Sequence, residues 1–384
     1  MAFCISGETH RARYPLCDGC GRRIIPDRAT LRPMAELVTF FPDWRGGDPY
    51  LDDLARELSA EGWRSSIVGR KGLMLALIAA ILGRGIVHLH WFEGFTPERR
   101  GFEGVVAWLY IPALWLAGRR GRLFWTVHNV MPHDGYAPFV GLRFLKLLAL
   151  SSSRILVHFD ETRQVVEDSF SARGKVSVIH AATFGHAHGP PIDRASARAR
   201  ISDRLTADAM LFVQVGSLRA YKQPDITVLA FRDAAPSSAR LLVSGLCVDE
   251  ALRAEMIRVA ADDLRITLRF DRLSNEDLVT ALCAADWSIC PYTHIDNPGA
   301  VNLSVSYDCP VIAPALGPVV EMTRGHPVML YPPEGDVRQH LAGAIAKAAE
   351  MRLALADGTG GLRITRREQA RQTSEQYLAA RGAA

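Results

Sequence analysis

Short apolar runs alternate with longer amphipathic stretches along most of this 384-residue chain. The runs are three to six residues long, and apolar residues recur at helical spacing in the stretches between them. Strands are predicted at 36–41, 86–90, 123–127, 155–157, 176–179, 210–215, 239–243, 266–270, 287–290, 310–313 and 328–330. Nearly continuous apolar strands that alternate with helices are typical of parallel sheets covered on both faces. The pattern therefore predicts an α/β protein.

Breaks in the alternation divide the chain into segments. The length fits two domains, each large enough to bury a core of its own. The predicted segments are an extension at 1–33, a first Rossmann-like domain at 34–182, a Gly- and Pro-containing linker at 183–208, a second Rossmann-like domain at 209–350 and a polar helical tail at 351–384. Ligands of open α/β sheets bind beyond the carboxyl ends of the strands. We therefore expect the site in a cleft between two facing doubly wound domains.

Charge and cysteine content narrow the class of protein. A formal charge of +4 over the whole chain is too small to indicate a nucleic-acid partner. Seven cysteines without a regular framework favour a reducing compartment, and we expect a cytoplasmic location. Cys17 and Cys20 form a CxxC pair, which is half a zinc site. We predict no metal site.

The loop after the strand 210–215 carries the clearest candidate chemistry. Gly216, Arg219 and Lys222 lie between this strand and a predicted helix. A glycine that lets the backbone approach, a guanidinium fork and an ammonium beside a helix N-terminus suit a diphosphate. A solvated basic turn is the alternative interpretation. Because the chain has only five lysines, Lys222 favours binding.

A second candidate loop follows the strand 287–290. In this loop a flexible glycine precedes a predicted helix. The candidate residues are Asn297, Gly299, Ala300, Val301 and Asn302. Backbone amides at a helix N-terminus attract anions. We predict that these five residues also contact the bound nucleotide.

In the first domain, candidate residues follow three strands. Gly46 and Gly47 permit close backbone approach to a ligand, and Asp48, Glu93 and His128 are candidate catalytic groups. The choice of a general base among the carboxylates, which include Asp134, stays open. His88 and His90 share one sheet face, which leaves a metal site or hydrogen-bonded core histidines as alternatives. No GxGxxG motif follows any strand, which disfavours a nicotinamide enzyme.

Two long apolar stretches, 73–82 and 105–117, are followed closely by arginines. Neither reaches the ~20 residues that span a bilayer. Two helices packed on a sheet would explain them. The alternative is a basic, apolar surface that makes a peripheral contact with the inner face of the cytoplasmic membrane.

Together these motifs resemble GT-B glycosyltransferases over about residues 34–350. The family 4-like clan is closest, particularly the xanthan-type β-mannosyltransferases of bacterial exopolysaccharide synthesis. The resemblance rests on Trp91-Phe-Glu93 after a His-rich strand, His128-Asn129 before Pro132-His133, and Arg219-Ala-Tyr-Lys222. In that clan the Arg and Lys neutralise the diphosphate of a sugar nucleotide. Retaining members carry a Glu-x7-Glu pattern, where this chain has Ile295 and Leu303.

The resemblance implies transfer of mannose or a related hexose from a nucleoside-diphosphate sugar to a lipid-linked or polysaccharide acceptor. GDP-mannose is the favoured donor, and no cofactor or metal is implied. The missing glutamates favour an inverting route with a first-domain carboxylate, while Asp296 or Asn302 would supply part of the lost polarity. Two alternatives stay open: a nucleotide-sugar epimerase of the same fold and a non-catalytic GT-B-like binding subunit.

Overall fold

The computed structural model of the protein describes residues 36–43, 50–92, 108–130, 139–184, 187–201, 205, 209–351 and 365–382. These residues form two six-stranded parallel sheets with helices on both faces, which confirms the predicted fold class of two doubly wound domains. The four cysteines in the described ranges have free thiols. Cys17 and Cys20 lie outside them.

The first sheet has the order β2-β1-β3-β4-β5-β6. Its strands are β1 (Leu37–Phe41), β2 (Arg64–Ile67), β3 (Ile86–His90), β4 (Leu123–Thr126), β5 (Arg154–Val157) and β6 (Val176–Val178). The direction of strand addition reverses between β1 and β3, and such a switch point opens a crevice at the carboxyl ends of the strands. The sequence pattern missed β2, because this edge strand begins Arg64-Ser65-Ser66 and has no fully buried residue.

The second sheet has the order β12-β11-β10-β7-β8-β9, the arrangement of dinucleotide-binding domains. Its strands are β7 (Leu211–Val215), β8 (Arg240–Ser244), β9 (Ile266–Arg269), β10 (Trp287–Ile289), β11 (Val311–Pro314) and β12 (Val328–Tyr331). The switch point lies between β7 and β10. Both loops with predicted phosphate chemistry, residues 216–222 and 291–302, therefore leave the sheet at the same crevice.

Thirteen α-helices occur in the described ranges. They are α1 (Tyr50–Ala60), α2 (Arg70–Ile81), α3 (Ile111–Arg119), α4 (Phe139–Ser151), α5 (Asp160–Phe170), α6 (Arg194–Ile201), α7 (Pro224–Ala234), α8 (Glu250–Ala260), α9 (Asn275–Ala284), α10 (Gly299–Ser306), α11 (Gly317–Met322), α12 (Val337–Glu350) and α13 (Arg366–Gly382). The predicted N-cap of α9 is present, because the Ser274 hydroxyl accepts a hydrogen bond from the amide of Asp277 at 3.0 Å.

The interval 183–208, predicted as a linker, contains α6, which packs against α9. Two of its arginines, Arg194 and Arg198, both pair with Asp286, and Arg198 is buried. Asp286 immediately precedes β10 and also accepts a hydrogen bond from the amide of Leu211. One carboxylate thus attaches α6 to the second sheet.

The C-terminal helix α13 returns to the first domain and packs against α1. Its residues 370, 373, 374 and 377 are buried, a spacing that places them on one helix face. Trp63 Nε1 donates to Ser374 Oγ at 2.8 Å, and the fully buried Tyr377 ring packs against Phe124. The sequence pattern did not predict this buried face, because most of the inward side chains of α13 are small or hydroxylated.

Candidate functional site

The loop after β7 leaves the second sheet through a tight backbone contact. Gly216 has φ of +102°, a left-handed conformation that favours glycine. Gly245, at the end of β8, lies so close that an added Cβ would come within 1.8 Å of the Gly216 carbonyl oxygen. An isolated bridge between Leu218 and Cys247 extends the pairing beyond the strands. The two glycines therefore bring the loop's backbone to the sheet edge.

Arg219 and Lys222 lie at the end of this loop, around a single 3₁₀ turn (Ala220–Lys222). Gln214 in β7 fixes the turn, because its side-chain amide donates to the Lys222 carbonyl at 2.8 Å. Arg219 is exposed and donates to Ser217 Oγ, whereas Lys222 is half-buried with its ammonium over the Tyr221 ring. Within the described ranges neither cation has a carboxylate in ion-pair distance.

The environment of Lys222 opposes its charge. Burial lowers the pKa of its ammonium below the usual value, the neighbouring Cys290 raises it, and Arg219 lowers it further. A bound anion would relieve both the desolvation and the repulsion between the two cations. The pair is thus arranged for an anionic ligand.

The loop after β10 meets the Lys222 turn. The amide of Thr293 donates to the Tyr221 carbonyl at 2.9 Å, and the Tyr221 and Tyr292 rings stack with centroids 6.3 Å apart. The His294 ring also packs against Tyr221, with the ring centroids 5.7 Å apart. The two loops that the sequence predicted to act together therefore form one surface at the switch point.

The start of α10 is less open than its sequence indicates. The Gly299 amide donates to the Asn297 carbonyl at 2.8 Å, and the Ala300 amide donates to the Tyr292 hydroxyl at 3.3 Å. Val301 is fully buried. Space for a ligand remains beside Gly299, where an added Cβ would meet no atom within 4 Å. The nucleotide contacts of these residues stay a prediction.

Asn302 is buried, and its side chain already holds the segment between the domains. Its Oδ1 accepts from the Phe184 amide at 3.0 Å, and its Nδ2 donates to the Ala182 carbonyl at 2.8 Å. Ser306, one turn later, also accepts from the Phe184 amide. The predicted sugar-nucleotide contact of Asn302 would have to compete with the two bonds that its own side chain makes.

At the facing edge of the first sheet, four histidines lie in or just after three neighbouring strands. They are His88, His90, His128 and His158, hereafter the histidine cluster. All four are buried. The rings of His88 and His90 lie 4.2 Å apart, so both do share one sheet face. His90 Nδ1 lies 3.0 Å from His128 Nε2, and the His128 and His158 rings are 5.4 Å apart.

Burial keeps the inner half of the cluster neutral. His88 is held between the Tyr377 hydroxyl at 2.6 Å and the Thr126 hydroxyl at 2.7 Å. Burial lowers its pKa to about 3, with a further contribution from His158. The pKa of His90 is lowered well below its usual value by burial and then by the three other histidines. Hydrogen-bonded core histidines, one of the two alternatives from the sequence, describe His88 well.

Aromatic rings cover the cluster. Trp91 has φ of 44° and stacks on His128 with ring centroids 4.2 Å apart. The Tyr50 ring packs edge-on against His90, Trp91 and His128. His128, the predicted catalytic candidate, is only 2% exposed. Gly46, Gly47, Asp48, Glu93 and Asp134 lie outside the described residues.

Among the described residues, two sets of contacts between the domains cross the cleft. The amide of Val130, just after β4, donates to Asp296 Oδ2 at 2.7 Å. Glu321 in α11 accepts from the amide of Asp160 and pairs with His180. Asp296 was predicted as a substitute polar group at the nucleotide, and the structure shows it joined to the first domain as well. Sequence reasoning missed Glu321 and Tyr292, which carry no motif.

Within the described ranges, no group of three or more His, Cys, Asp or Glu side chains is arranged to hold a metal ion. Nor does any helix there combine the length and apolar character needed to cross a membrane.

Solved structures with the same architecture exist at low sequence identity. The chain aligns with a sucrose-phosphate synthase from Thermosynechococcus elongatus (TM-score 0.63, 17% identity, 91% of this chain and 100% of that one). It aligns similarly with a glycosyltransferase from Rickettsia africae (TM-score 0.63, 12% identity, 90% and 98%). HepE from Anabaena, solved with UDP and glucose, aligns with a TM-score of 0.55 (14% identity, 91% and 98%).

These likenesses show the GT-B fold, as the resemblance in sequence implied. No protein-family model matches the chain, and no curated protein matches it either.

Proposed function

We propose that this protein is a glycosyltransferase that takes a sugar from a nucleoside-diphosphate sugar. The observation that carries the proposal is the meeting of two loops at the switch point of the second sheet, with Arg219 and Lys222 unpaired by carboxylates among the described residues. The structural likeness to HepE, which was solved with UDP and glucose, supports a nucleotide-sugar ligand.

The two cations would neutralise the diphosphate as it departs. Charge that develops on a leaving group is stabilised best by donors already in place, since they need no reorganisation during the reaction. Lys222 is held at its carbonyl by Gln214 and shielded by Tyr221, so its ammonium has few alternative positions. Because these cations take the charge-neutralising role, the proposed reaction needs neither metal nor cofactor. GDP-mannose is the donor we favour.

The acceptor would approach over the first domain, and we propose a lipid-linked or polysaccharide acceptor in exopolysaccharide or cell-surface glycan synthesis. Leu303 is buried in the core at the position of the second glutamate of retaining enzymes, so it offers no polar atom. An inverting route then needs a first-domain base. Asp48 and Glu93 are favoured over His128, whose ring is paired with His90 and stacked under Trp91.

Titration calorimetry with GDP-mannose, UDP-glucose and dTDP-glucose tests the donor. We expect one of these to bind the wild type, and Lys222→Ala to weaken that binding about 10- to 100-fold, because a charged hydrogen bond contributes ~1.5–3 kcal/mol. Lys347→Ala is the matched control, since Lys347 is an exposed lysine of the same domain on α12. Absence of heat with all three sugar nucleotides would contradict the proposal.

Two further measurements separate the alternatives. Conversion of the bound sugar nucleotide to its epimer without an acceptor, followed by NMR, would identify an epimerase. Binding without transfer of radiolabelled sugar to a lipid extract would identify a non-catalytic subunit.

A further inference from the structure

Three neighbouring helices of the first domain, α2, α3 and α4, expose an unusual amount of apolar surface. Their inner sides carry Leu73, Leu77, Leu114 and Leu148, which are buried against the sheet. Their outer sides and immediate ends hold nine of the eighteen large apolar side chains exposed in the described ranges: Leu75, Ile78, Leu82, Trp108, Leu109, Trp115, Leu116, Leu147 and Leu150. We call this outer surface the apolar face.

Within the three helices themselves, all charged side chains have the same sign. The three helices contain five cations, Arg70, Lys71, Arg119, Arg143 and Lys146, and no carboxylate. The next helix on the same side of the sheet, α5, marks the boundary, because it carries four carboxylates and one arginine. An apolar surface ringed by cations is the pattern of proteins that lie on anionic bilayers.

A cavity of about 340 Å³ opens at the edge of this face, between the ends of α3 and α4. Trp115 and Leu150 line it, so it is continuous with the apolar face, and Arg119, Arg154 and Lys175 also line it. Arg119 and Ser151 end their helices only a few residues before β4 and β5 begin. The cavity therefore lies at the amino edge of the sheet, opposite the cleft.

The three cations of the cavity lack acidic partners in the part of the chain that the structure describes. The Lys175 ammonium donates to the carbonyls of Leu150 and Ser152, at 2.6 and 3.2 Å, and the Arg119 guanidinium lies over the Trp115 ring. Burial and the neighbouring Arg154 lower the pKa of Lys175. Converging cations without a carboxylate partner favour a phosphate-bearing ligand.

Other occupants of the face fit its charge less well. A second copy would bring a face of five cations against another, and like charges in contact oppose association. Residues 1–33 carry six arginines against three carboxylates, so this segment is cationic too. An anionic lipid surface complements both the charge and the apolar side chains.

We propose that the apolar face docks on a bilayer containing anionic phospholipid, and that the cavity beside Trp115 receives the phosphate of a lipid headgroup. The helices run antiparallel to the strands, so Trp108 and Leu109 at the start of α3 lie towards the cleft and Trp115 lies away from it. The docked bilayer would then extend along α3 to the cleft. The use of this position for a lipid-linked acceptor rests on the proposed function.

Cosedimentation with vesicles tests the proposal directly. The full chain should pellet with vesicles of phosphatidylglycerol mixed with phosphatidylcholine and stay in the supernatant with pure phosphatidylcholine. Raised salt should weaken the binding, because it screens the charges. Arg119→Ala/Arg154→Ala should bind about fivefold more weakly for each cation removed. Arg272→Ala/Lys347→Ala removes the same charge from the second domain and should bind as the wild type does.

The apolar contribution needs a second pair of variants. Leu75→Ser/Leu82→Ser should weaken vesicle binding about fivefold or more per leucine, since each loses buried apolar area in the bilayer. Val248→Ser/Ile257→Ser, at similarly exposed positions of the second domain, should have no effect. Circular dichroism melts of all four variants establish that they fold.

The proposal is overturned if the face variants bind like their controls, or if pure phosphatidylcholine binds equally well. It is also overturned if the wild type dimerises without lipid in sedimentation velocity and Leu75→Ser/Leu82→Ser does not, because a second copy then covers the face. The calorimetry with sugar nucleotides reports separately on the proposed function, so either can fail alone.

Discussion

The two sheets present opposite chemistry to the cleft that they share. The carboxyl edge of the first sheet ends in buried rings, the histidine cluster beneath Trp91 and Tyr50, in which burial lowers the pKa of His88 and His90. The corresponding edge of the second sheet ends in an open glycine loop with two cations. Both edges lie at a switch point of a parallel sheet. The same topology thus carries buried aromatic rings on one side and a glycine loop with two cations on the other.

The residues immediately after the strands create this difference. β3 ends with His90, and β4 and β5 are each followed within two residues by a histidine, whereas β7 is followed by Gly216. A histidine in a buried edge loses its charge to desolvation, while a glycine lets the backbone turn out towards a ligand. Each edge is therefore sensitive to a different perturbation.

An added side-chain atom at the carboxyl edge of the second sheet should cause the largest loss of stability. Gly245→Ala places a Cβ within 1.8 Å of the Gly216 carbonyl oxygen, at a residue whose φ is +152°. Overpacking costs ~1–3 kcal/mol and the disfavoured backbone adds ~1–2 kcal/mol. We expect the free energy of unfolding to fall by about 3 kcal/mol in urea titrations, with sugar-nucleotide binding weakened as the loop moves.

Gly343→Ala in α12 is the matched control, because its Cβ would meet no atom within 4 Å and its φ is ordinary. A helical Gly→Ala change of this kind stabilises by ~0.5–1 kcal/mol. Equal stabilities for the two variants would contradict the close approach of β7 and β8.

Protonation of the buried histidines at the carboxyl edge of the first sheet should lower the stability of the protein. The pKa of His88 is lowered to about 3 and that of His90 lies well below 6.5. At a pH just below 6.5 the unfolded chain therefore binds protons at these histidines, and the folded protein does not. The contribution of the two neutral histidines to the free energy of unfolding is therefore fully present above pH 6.5 and is lost as the pH falls below that value. Between pH 7.5 and 5.5 the two histidines should together cost about 2.5 kcal/mol.

Urea titrations at both pH values measure this loss. The variant His88→Asn/His90→Asn should show a flatter pH dependence, whatever its absolute stability, because asparagine does not titrate. A slope equal to that of the wild type would assign the acid sensitivity to other groups.

The smallest of the three effects concerns the helix that crosses to the first edge. Tyr377→Phe removes the hydroxyl that His88 contacts at 2.6 Å and leaves a buried ring nitrogen without its partner. An unsatisfied buried polar group costs ~1–3 kcal/mol, so we expect a loss of about 1–2 kcal/mol in thermal or urea unfolding. Leu378→Ala, at the exposed next position of α13, should change the stability little. A Tyr377→Phe variant as stable as the wild type would contradict a structural role for this bond.

Local sequence patterns predicted most of the sheet framework. Eleven of the twelve strands coincide with predicted apolar runs, since most of them are buried on both faces and are therefore apolar nearly throughout. β2 was not predicted, because this edge strand consists largely of polar residues. The loop from Gly216 to Lys222 was found from residue types alone, and the structure adds what holds it, namely Gln214, Tyr221 and the Thr293 amide.

By itself, then, the sequence determined two α/β domains, the loops that follow their strands and the Ser274 cap, because each depends on residues close together in the chain. Only the tertiary structure brought His128 beside His158, carried Tyr377 into the first domain and assigned Asn302 to the segment between the domains. It also decided that the three apolar helices lie side by side and that each exposes apolar side chains on its outer side. These features depend on contacts between residues far apart in sequence, and periodicity within one segment carries no information about its neighbours in space.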